Sequence, residues 1–296
     1  MRVVTLLPAA TEIVAALGGA DRLVGISHEC DYPAWVQHLP RVTATPIDVD
    51  APGRVIDAEV RRLRTSGRPV IAIDAEQLTS LAPDVIITQG LCEVCAVSDG
   101  DVHRLAAGFE QRPRVLSLTA SDLSGIWSDI TAVGSALDLE AEAKELVFGL
   151  RSRVARLRGS TGPEPAAVLC IEWLDPLYLA GHWVPELVAA AGGKDVGAEP
   201  GSHSARRDWK ELKWLRPDQI VVMLCGFGVE RARAELEGLR DPDALELMDR
   251  VPTWIIDGNA YTSRPGPRVV DGAERIQSAL LKRPAHDVES WQPVAC

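Results

Sequence analysis

Short apolar runs alternate with amphipathic segments along most of the chain. The runs at 3–7, 85–88 and 219–224 have the length of strands that are buried on both faces. The segments that follow such runs place apolar residues at spacings of three and four, which is typical of amphipathic helices. Strands and helices in alternation predict an α/β fold, with parallel sheets that helices cover on both faces.

One helical segment is longer than the others. Apolar residues recur at spacings of three and four from about 139 to 158, with Asp138 as the expected N-cap and Gly159 as the expected stop. At 1.5 Å per residue such a helix is roughly 30 Å long. The alternation of strands and helices then restarts. The predicted parts are an N-terminal α/β lobe over 1–137, a bridging helix over 138–158 and a C-terminal α/β lobe over 159–296.

Other elements follow from the same patterns and from glycines that end helices, such as Gly18-Gly19 and Gly192-Gly193. A polar tail follows the last predicted helix. The remaining predicted strands are 23–26, 70–73, 114–118, 167–171 and 253–256, and the helices are 48–68, 76–81, 102–109, 122–137, 184–191, 209–215, 230–239 and 267–281.

Composition and charge narrow the possible partners. The 296 residues are 46% hydrophobic and 25% charged, which is ordinary for a globular protein. A formal net charge of −11 argues against nonspecific affinity for nucleic acid or for an anionic membrane. No apolar run approaches the roughly 18 residues that a membrane-spanning helix needs. We therefore expect a small-molecule partner, with no nucleic acid and no membrane insertion.

The beginning of the sequence predicts a cytoplasmic protein. Met1-Arg2 is followed at once by an apolar run of strand length, without a leader-length apolar region or a small-residue cleavage site. In a reducing cytoplasm, the six cysteines are expected to be thiols or metal ligands and not a disulfide framework.

A Cys-x-x-Cys pair provides the most distinctive chemistry. Cys92 and Cys95 follow the predicted strand that ends near Thr88, in a glycine loop that also contains the candidate ligand-binding residue Gln89, and ligands of open α/β sheets bind at the carboxyl ends of strands. The two cysteines could chelate a soft metal, form a redox pair, line a ligand site or simply pack. His28 and Cys30 follow an earlier strand, which we expect to be a neighbour, so a Cys₃His metal site is one possible arrangement.

Aromatic residues also lie at predicted strand ends. Because aromatic residues are only 5% of the chain, this placement predicts flat apolar walls for a macrocycle, although ordinary core packing explains any single one equally well. These residues are Tyr32, Trp173, Trp183, Phe227 and Tyr261. Glu172 and Arg264 could meet polar groups at the edge of a ligand, or form surface salt bridges instead. Cys225 begins a small-residue loop that permits close backbone approach.

Motifs of known catalytic sites are missing from the sequence. It contains no Gly-x-Ser-x-Gly, no phosphate-binding loop and no His-Glu-x-x-His. The Gly18-Gly19 pair follows a predicted helix and does not open one, so it is no dinucleotide-binding fingerprint. We therefore expect a protein that is not an enzyme.

Several segments, in chain order, carry a resemblance to one known family. The segments are Leu7-Pro8-Ala9-Ala10-Thr11-Glu12-Ile13, Val24-Gly25-Ile26-Ser27-His28, Asp31-Tyr32-Pro33, Leu81-Ala82-Pro83-Asp84-Val85-Ile86, Gly192-Gly193, Trp209, Pro217-Asp218-Gln219-Ile220 and Gly266-Pro267-Arg268. They resemble the class III or helical-backbone substrate-binding proteins of ABC importers, and within that family the vitamin B12-binding branch is the most similar. The resemblance implies two lobes joined by a rigid helix, with a ligand held between them.

The resemblance gives two alternatives for function, and the Cys92/Cys95 pair gives a third. The first is binding of cobalamin or another corrinoid, for storage, handover or transport, with an ABC permease or a corrinoid-handling protein as a possible partner. The second is binding of haem or an iron-siderophore on the same fold. The third is a metal-dependent or thiol redox protein that uses Cys92 and Cys95. In the first, cobalamin is the ligand, and Cys92, Cys95 or His28 could coordinate its cobalt or another bound metal.

One block departs from this resemblance. Residues 48–73 look like an insertion relative to the classical vitamin B12 carrier, so the family implies no role for them.

Overall fold

The computed structural model describes residues 1–90, 97, 99–159 and 164–293. It divides into two compact units, and the last change from one unit to the other along the chain falls within the long helix, between Gly149 and Leu150. The first unit consists of Met1–Ala51, Val55–Ala120 and Ser124–Gly149, and the second of Pro52–Arg54, Ser121–Leu123 and Leu150–Cys296. The predicted division at 137 and 158 remains a prediction.

The first unit is built on a parallel four-stranded sheet with strand order β2-β1-β5-β6. Strands β3 and β4 form a separate antiparallel pair. The strands are β1 Val3–Thr5, β2 Leu23–Gly25, β3 Thr43–Ala44, β4 Ala72–Ile73, β5 Val85–Gln89 and β6 Arg114–Leu118. The helices that begin before residue 150 are α1 Pro8–Ala16, α2 Gly53–Thr65, α3 Ala75–Ser80, α4 Asp99–Ala107, α5 Leu123–Ala136 and α6 Glu140–Gly159.

The buried runs of this unit form the predicted strands because both faces of the sheet are covered. Every residue of β1 is buried, as are the first four residues of β5. Pro8 opens α1 at a position where its fixed φ suits the helix, and Gly18, with φ of 78°, follows its end. The glycine stop predicted at this place is therefore confirmed.

Two expectations about this region are wrong. Strand β1 lies between β2 and β5, so the loops that carry His28 and the cysteine pair do not leave neighbouring strands. At about 4.8 Å per strand, their strands are roughly 10 Å apart. Asp138 has a φ of 54° and lies in the turn before α6, which begins only at Glu140.

The second unit is built on a mixed sheet with strand order β10-β8-β7-β11-β12-β13, in which β9 also pairs with β7. The strands are β7 Ala166–Leu174, β8 Leu177–Leu179, β9 Gly193–Asp195, β10 Ala205–Arg206, β11 Gln219–Val222, β12 Thr253–Ile256 and β13 Val288–Trp291. The helices are α7 Val184–Ala191, α8 Trp209–Leu212, α9 Val229–Gly238, α10 Pro242–Arg250, α11 Gly258–Tyr261 and α12 Val269–Leu280.

The parallel core of this sheet was predicted, whereas its antiparallel flanks were not. Strands β7, β9, β11 and β12 run parallel, and β8, β10 and β13 run antiparallel to their partners. The expected polar tail therefore contains β13, whose residues Val288 and Trp291 are buried. Arg153 of α6 forms ion pairs with Asp271 and Glu274 of α12 and so fixes the end of the long helix in this unit.

Among the helices of the described residues, none combines the length and the apolar character that crossing a bilayer requires.

Candidate functional site

In the first unit, an arginine organises the loop that follows β2. The Nη1 atom of Arg41 donates to the backbone oxygens of Ser27, His28 and Cys30 at 3.1, 2.6 and 3.0 Å. One guanidinium group thus gathers three carbonyl groups, and hydrogen bonds to a charged group are stronger than neutral ones. The loop is therefore held in one conformation at the carboxyl end of the sheet.

This loop fixes the His28 ring. The backbone N–H of His28 donates to Thr43 Oγ1 at 2.9 Å, and Nδ1 lies 2.7 Å from the same oxygen. Because the Thr43 hydroxyl donates to Ser27 Oγ at 3.1 Å, it can accept from Nδ1–H, which leaves Nε2 with its lone pair. Burial and the charge of Arg41 lower the pKa of His28, so the ring is neutral at neutral pH. A neutral imidazole with an available Nε2 is a suitable metal ligand.

The other candidates of the first unit have different surroundings. Cys30 is buried in a small apolar cluster with Ile26 and Val36, and its sulfur lies 3.1 Å from Thr11 Oγ1. Tyr32 is 46% exposed, and Gln89 is half-buried at the end of β5. Cys92 and Cys95 lie outside the described residues. Within the described residues, no group of three or more His, Cys, Asp or Glu side chains could hold a metal ion. The predicted metal site thus remains a prediction.

In the second unit, an aromatic pair lies where β7 and β11 end. The rings of Trp173 and Phe227 are 5.2 Å apart and tilted by 55°, and the Arg231 guanidinium lies 3.7 Å from the centre of the Phe227 ring. Such a cation–π contact stabilises the buried Phe227 ring in place. The backbone oxygen of Phe227 also accepts from the N–H groups of Gly258 and Asn259 at 3.1 and 3.2 Å. Hydrogen bonds therefore join the loops after β11 and β12 next to the half-buried indole of Trp173.

Glu172 and Cys225 take part in the same strand ends. The N–H of Cys225 donates to the Glu172 carbonyl at 3.0 Å, so these half-buried residues are neighbours across the two strands. Trp183 is 5% exposed, and its Nε1 donates to the Thr262 carbonyl at 2.8 Å. The surroundings of Trp183 are those of a core residue that anchors the loop after α11.

A second polar and aromatic cluster surrounds Tyr261. Its hydroxyl donates to Asp287 Oδ2 at 2.9 Å, and the Arg275 and Arg268 guanidinium groups lie 4.9 and 5.9 Å from its ring centre. Burial and the hydrogen bond to Asp287 raise the pKa of Tyr261, so its phenol stays protonated. Arg264 is 6% exposed and donates to Asn259 Oδ1 at 2.8 Å. All these groups follow β12, at the same end as Phe227.

Known proteins are similar to this chain in sequence and in fold. Residues 3–251 match a family model that is described as periplasmic binding protein. The chain belongs to this family. One similar protein is the uncharacterized ABC transporter substrate-binding lipoprotein YvrC of Bacillus subtilis, at 23% identity over 94% of this chain and 79% of the relative. Another is a vitamin B12-binding protein of Vibrio cholerae, at 24% identity over 94% of this chain and 88% of the relative. A periplasmic heme binding protein from Pseudomonas aeruginosa has a similar structure, with a TM-score of 0.70 and 21% identity over 99% of both chains.

Membership of this family confirms several predictions. The two-lobe α/β fold with parallel sheets is that of the periplasmic haem- and B12-binding proteins. The family consists of non-enzymatic substrate-binding proteins of ABC transporters, so the chain is a solute-binding protein and not an enzyme. Proteins of this kind deliver their ligand to a permease.

The predicted cytoplasmic location is wrong. The relatives are periplasmic or lipoprotein substrate-binding proteins of ABC importers. The prediction depended on the first residues of the sequence alone. A reducing cytoplasm therefore no longer supports the expectation that the cysteines are thiols or metal ligands.

Several residues of these clusters were missed from the sequence. Arg41 and Thr43 fix the His28 loop, and Arg231 and Asp287 support the aromatic side chains of the second unit. Arg231 had a usable signal, because it lies near the start of a predicted helix just after the loop that contains Phe227. Asp287 lay in the segment that was expected to be a polar tail.

Proposed function

We propose that the chain binds a tetrapyrrole-like ligand, and specifically cobalamin or a related corrinoid, for delivery to an ABC permease. The observation that carries the proposal is the Trp173–Phe227 pair at the strand ends of the second unit. A half-buried indole supported by a fixed ring offers apolar area to a flat ligand at low entropic cost. The vitamin B12-binding protein of Vibrio cholerae, which aligns over 94% of the chain, supports the same ligand class.

Polar groups at three adjacent strands of this sheet suit a ligand with a polar rim. Glu172 lies near the end of β7, and Tyr261 and Arg264 follow β12, and amide or carboxylate side chains of a macrocycle are partners for such groups. Arg264 and Tyr261 already have hydrogen bonds to Asn259 and Asp287, which hold them in place. We propose them as groups that select the ligand by its edge.

The test is a binding titration with hydroxocobalamin, followed by gel filtration and an absorption spectrum. We expect corrinoid bands that elute with the protein, and at least a tenfold weaker affinity for Trp173→Ala. Trp214→Ala is the matched control, because this tryptophan is 74% exposed and its removal should not affect binding. Equal affinity of Trp173→Ala and the wild type would contradict the proposal.

Haem is the second candidate ligand. The P. aeruginosa protein of similar structure binds heme, and the neutral His28 ring has an Nε2 atom that suits iron as well as cobalt. Ferric haem added to the protein would then give a Soret band that changes in His28→Ala. A haem affinity well above the corrinoid affinity would make haem the ligand.

A further inference from the structure

A short segment of the atypical block 48–73 lies against Trp173. Pro52–Arg54, which we call the 52–54 segment, belongs to the second unit. Gly53 is buried, although Pro52 and Arg54 beside it are exposed. A buried glycine between two exposed residues indicates that its backbone is pressed against another group.

That group is the indole of Trp173. A Cβ atom on Gly53 would lie 3.2 Å from Cζ2 and 3.4 Å from Cε2 of Trp173, so only a glycine fits without displacing the ring. Its φ is not in the left-handed region, so the requirement for glycine arises from the close approach and not from backbone conformation. The backbone of the segment therefore covers the indole next to its nitrogen atom.

Glu235 of α9 holds the segment in this position. Its Oε1 accepts from the Gly53 N–H at 3.0 Å, and Oε2 would lie 3.2 Å from a Cβ on Gly53. Gly53 is the first residue of α2, where backbone N–H groups have no partner within the helix and a carboxylate is favourable. The same carboxylate thus binds the Gly53 N–H and fixes the residue that covers Trp173.

The indole nitrogen beneath this cover is unpaired within the part of the chain that the structure describes. Nε1 of Trp173 is inaccessible to solvent and has no hydrogen-bond partner among those residues. Buried N–H groups are almost always paired, so an unpaired one at a strand end indicates a position where a ligand acceptor is expected.

We propose that Gly53 is a specificity-determining residue, and that Glu235 is a positioning residue that holds it over Trp173. The 52–54 segment then decides which ligands reach the indole and its Nε1. This inference rests on the proposed function only in taking Trp173 as part of the ligand site. The chemical class is a flat macrocycle with a hydrogen-bond acceptor at its edge.

The first part of the test needs no ligand. In protein labelled with 5-fluorotryptophan, the Trp173→Phe variant identifies the Trp173 fluorine resonance. We expect Gly53→Ala and Glu235→Ala to move this resonance and to increase its solvent isotope shift. Glu186→Ala is the matched control, because Glu186 makes the same kind of bond, at 2.7 Å, to the Leu123 N–H at the start of α5. A resonance that does not move in either variant overturns the proposed cover.

The second part measures discrimination between hydroxocobalamin and ferric haem. Larger side chains at position 53 displace Trp173 further, so we expect Gly53→Val to change the ratio of the two dissociation constants at least tenfold, and Gly53→Ala to change it less. An unchanged ratio, with both ligands still bound, overturns the specificity role. If the wild type binds neither ligand, the proposed function fails, and the fluorine resonances still decide whether Gly53 covers Trp173.

Discussion

A half-buried aspartate in the second unit should make the protein less stable as the pH rises. Asp195 ends β9, and its Oδ1 accepts from the N–H groups of Gly197 and Ala198 at 2.7 and 3.1 Å. Its Oδ2 is inaccessible to solvent, and the Cys170 thiol donates a hydrogen bond to the carboxylate. Burial, only partly offset by the two N–H groups and the Cys170 thiol, raises the pKa of Asp195 from 3.8 to about 6.

The loss of stability at higher pH follows from proton binding by Asp195. Since the folded protein holds this proton more tightly than the unfolded chain, the stabilisation is complete below pH 3.8 and is lost as the pH rises through about 6. The difference between the two pKa values corresponds to at most about 3 kcal/mol. Asn at this position keeps the oxygen that accepts from Gly197 and Ala198 and removes the buried charge. We therefore expect Asp195→Asn to stabilise the protein by up to about 3 kcal/mol at pH 8.

The assay is chemical unfolding in guanidinium chloride at pH 4, 6 and 8. The gain of Asp195→Asn should be largest at pH 8 and fall below about 1 kcal/mol at pH 4. Asp249→Asn, at an exposed position, is the control and should differ little from the wild type. A variant that is destabilised at pH 8, or stabilised equally at all three values, would refute the reasoning.

Two further variants test other parts of the structure. Arg153→Met should lower the free energy of unfolding by about 1 kcal/mol, because it removes two partly buried ion pairs. Arg250→Met removes one exposed ion pair and should lower the free energy of unfolding by less than about 0.5 kcal/mol. Equal losses of the two variants in denaturant unfolding would contradict this difference. Arg41→Met should raise the pKa of His28 in an NMR titration, because the charge of Arg41 helps to lower it; a pKa that stays the same or falls would contradict the assigned contact.

The sequence predicted those helices and strands whose pattern of apolar and polar residues follows directly from which of their own residues are buried. The run 253–256 is buried throughout and was predicted with its exact bounds, and so was the helix 184–191 that Gly192 ends in the left-handed conformation. Strand β13 was missed because its middle residues are polar and its pairing with β12 is set by the fold. Helix α10 was missed although Asp241 caps it and Pro242 opens it, a signal that could have been used.

The candidate sites were predictable only in part. The position of His28 could be predicted because it directly follows a strand end. Arg41 and Thr43, which set its pKa and its tautomer, lie in the following segment of the chain, and no local pattern connects them with His28. Gly53 and Glu235 are 182 residues apart, and no local pattern indicates that they meet. Contacts of this kind arise from tertiary packing, so only the structure shows them.

The central claim is that the protein binds a tetrapyrrole-like ligand. The most direct measurement is the ultraviolet–visible spectrum of the purified protein after addition of hydroxocobalamin and gel filtration. We expect stoichiometric corrinoid bands in the protein fraction, and a strong reduction of these bands in Trp173→Ala but not in Trp214→Ala. A protein fraction without any corrinoid, and without a Soret band when ferric haem is offered instead, would contradict the claim.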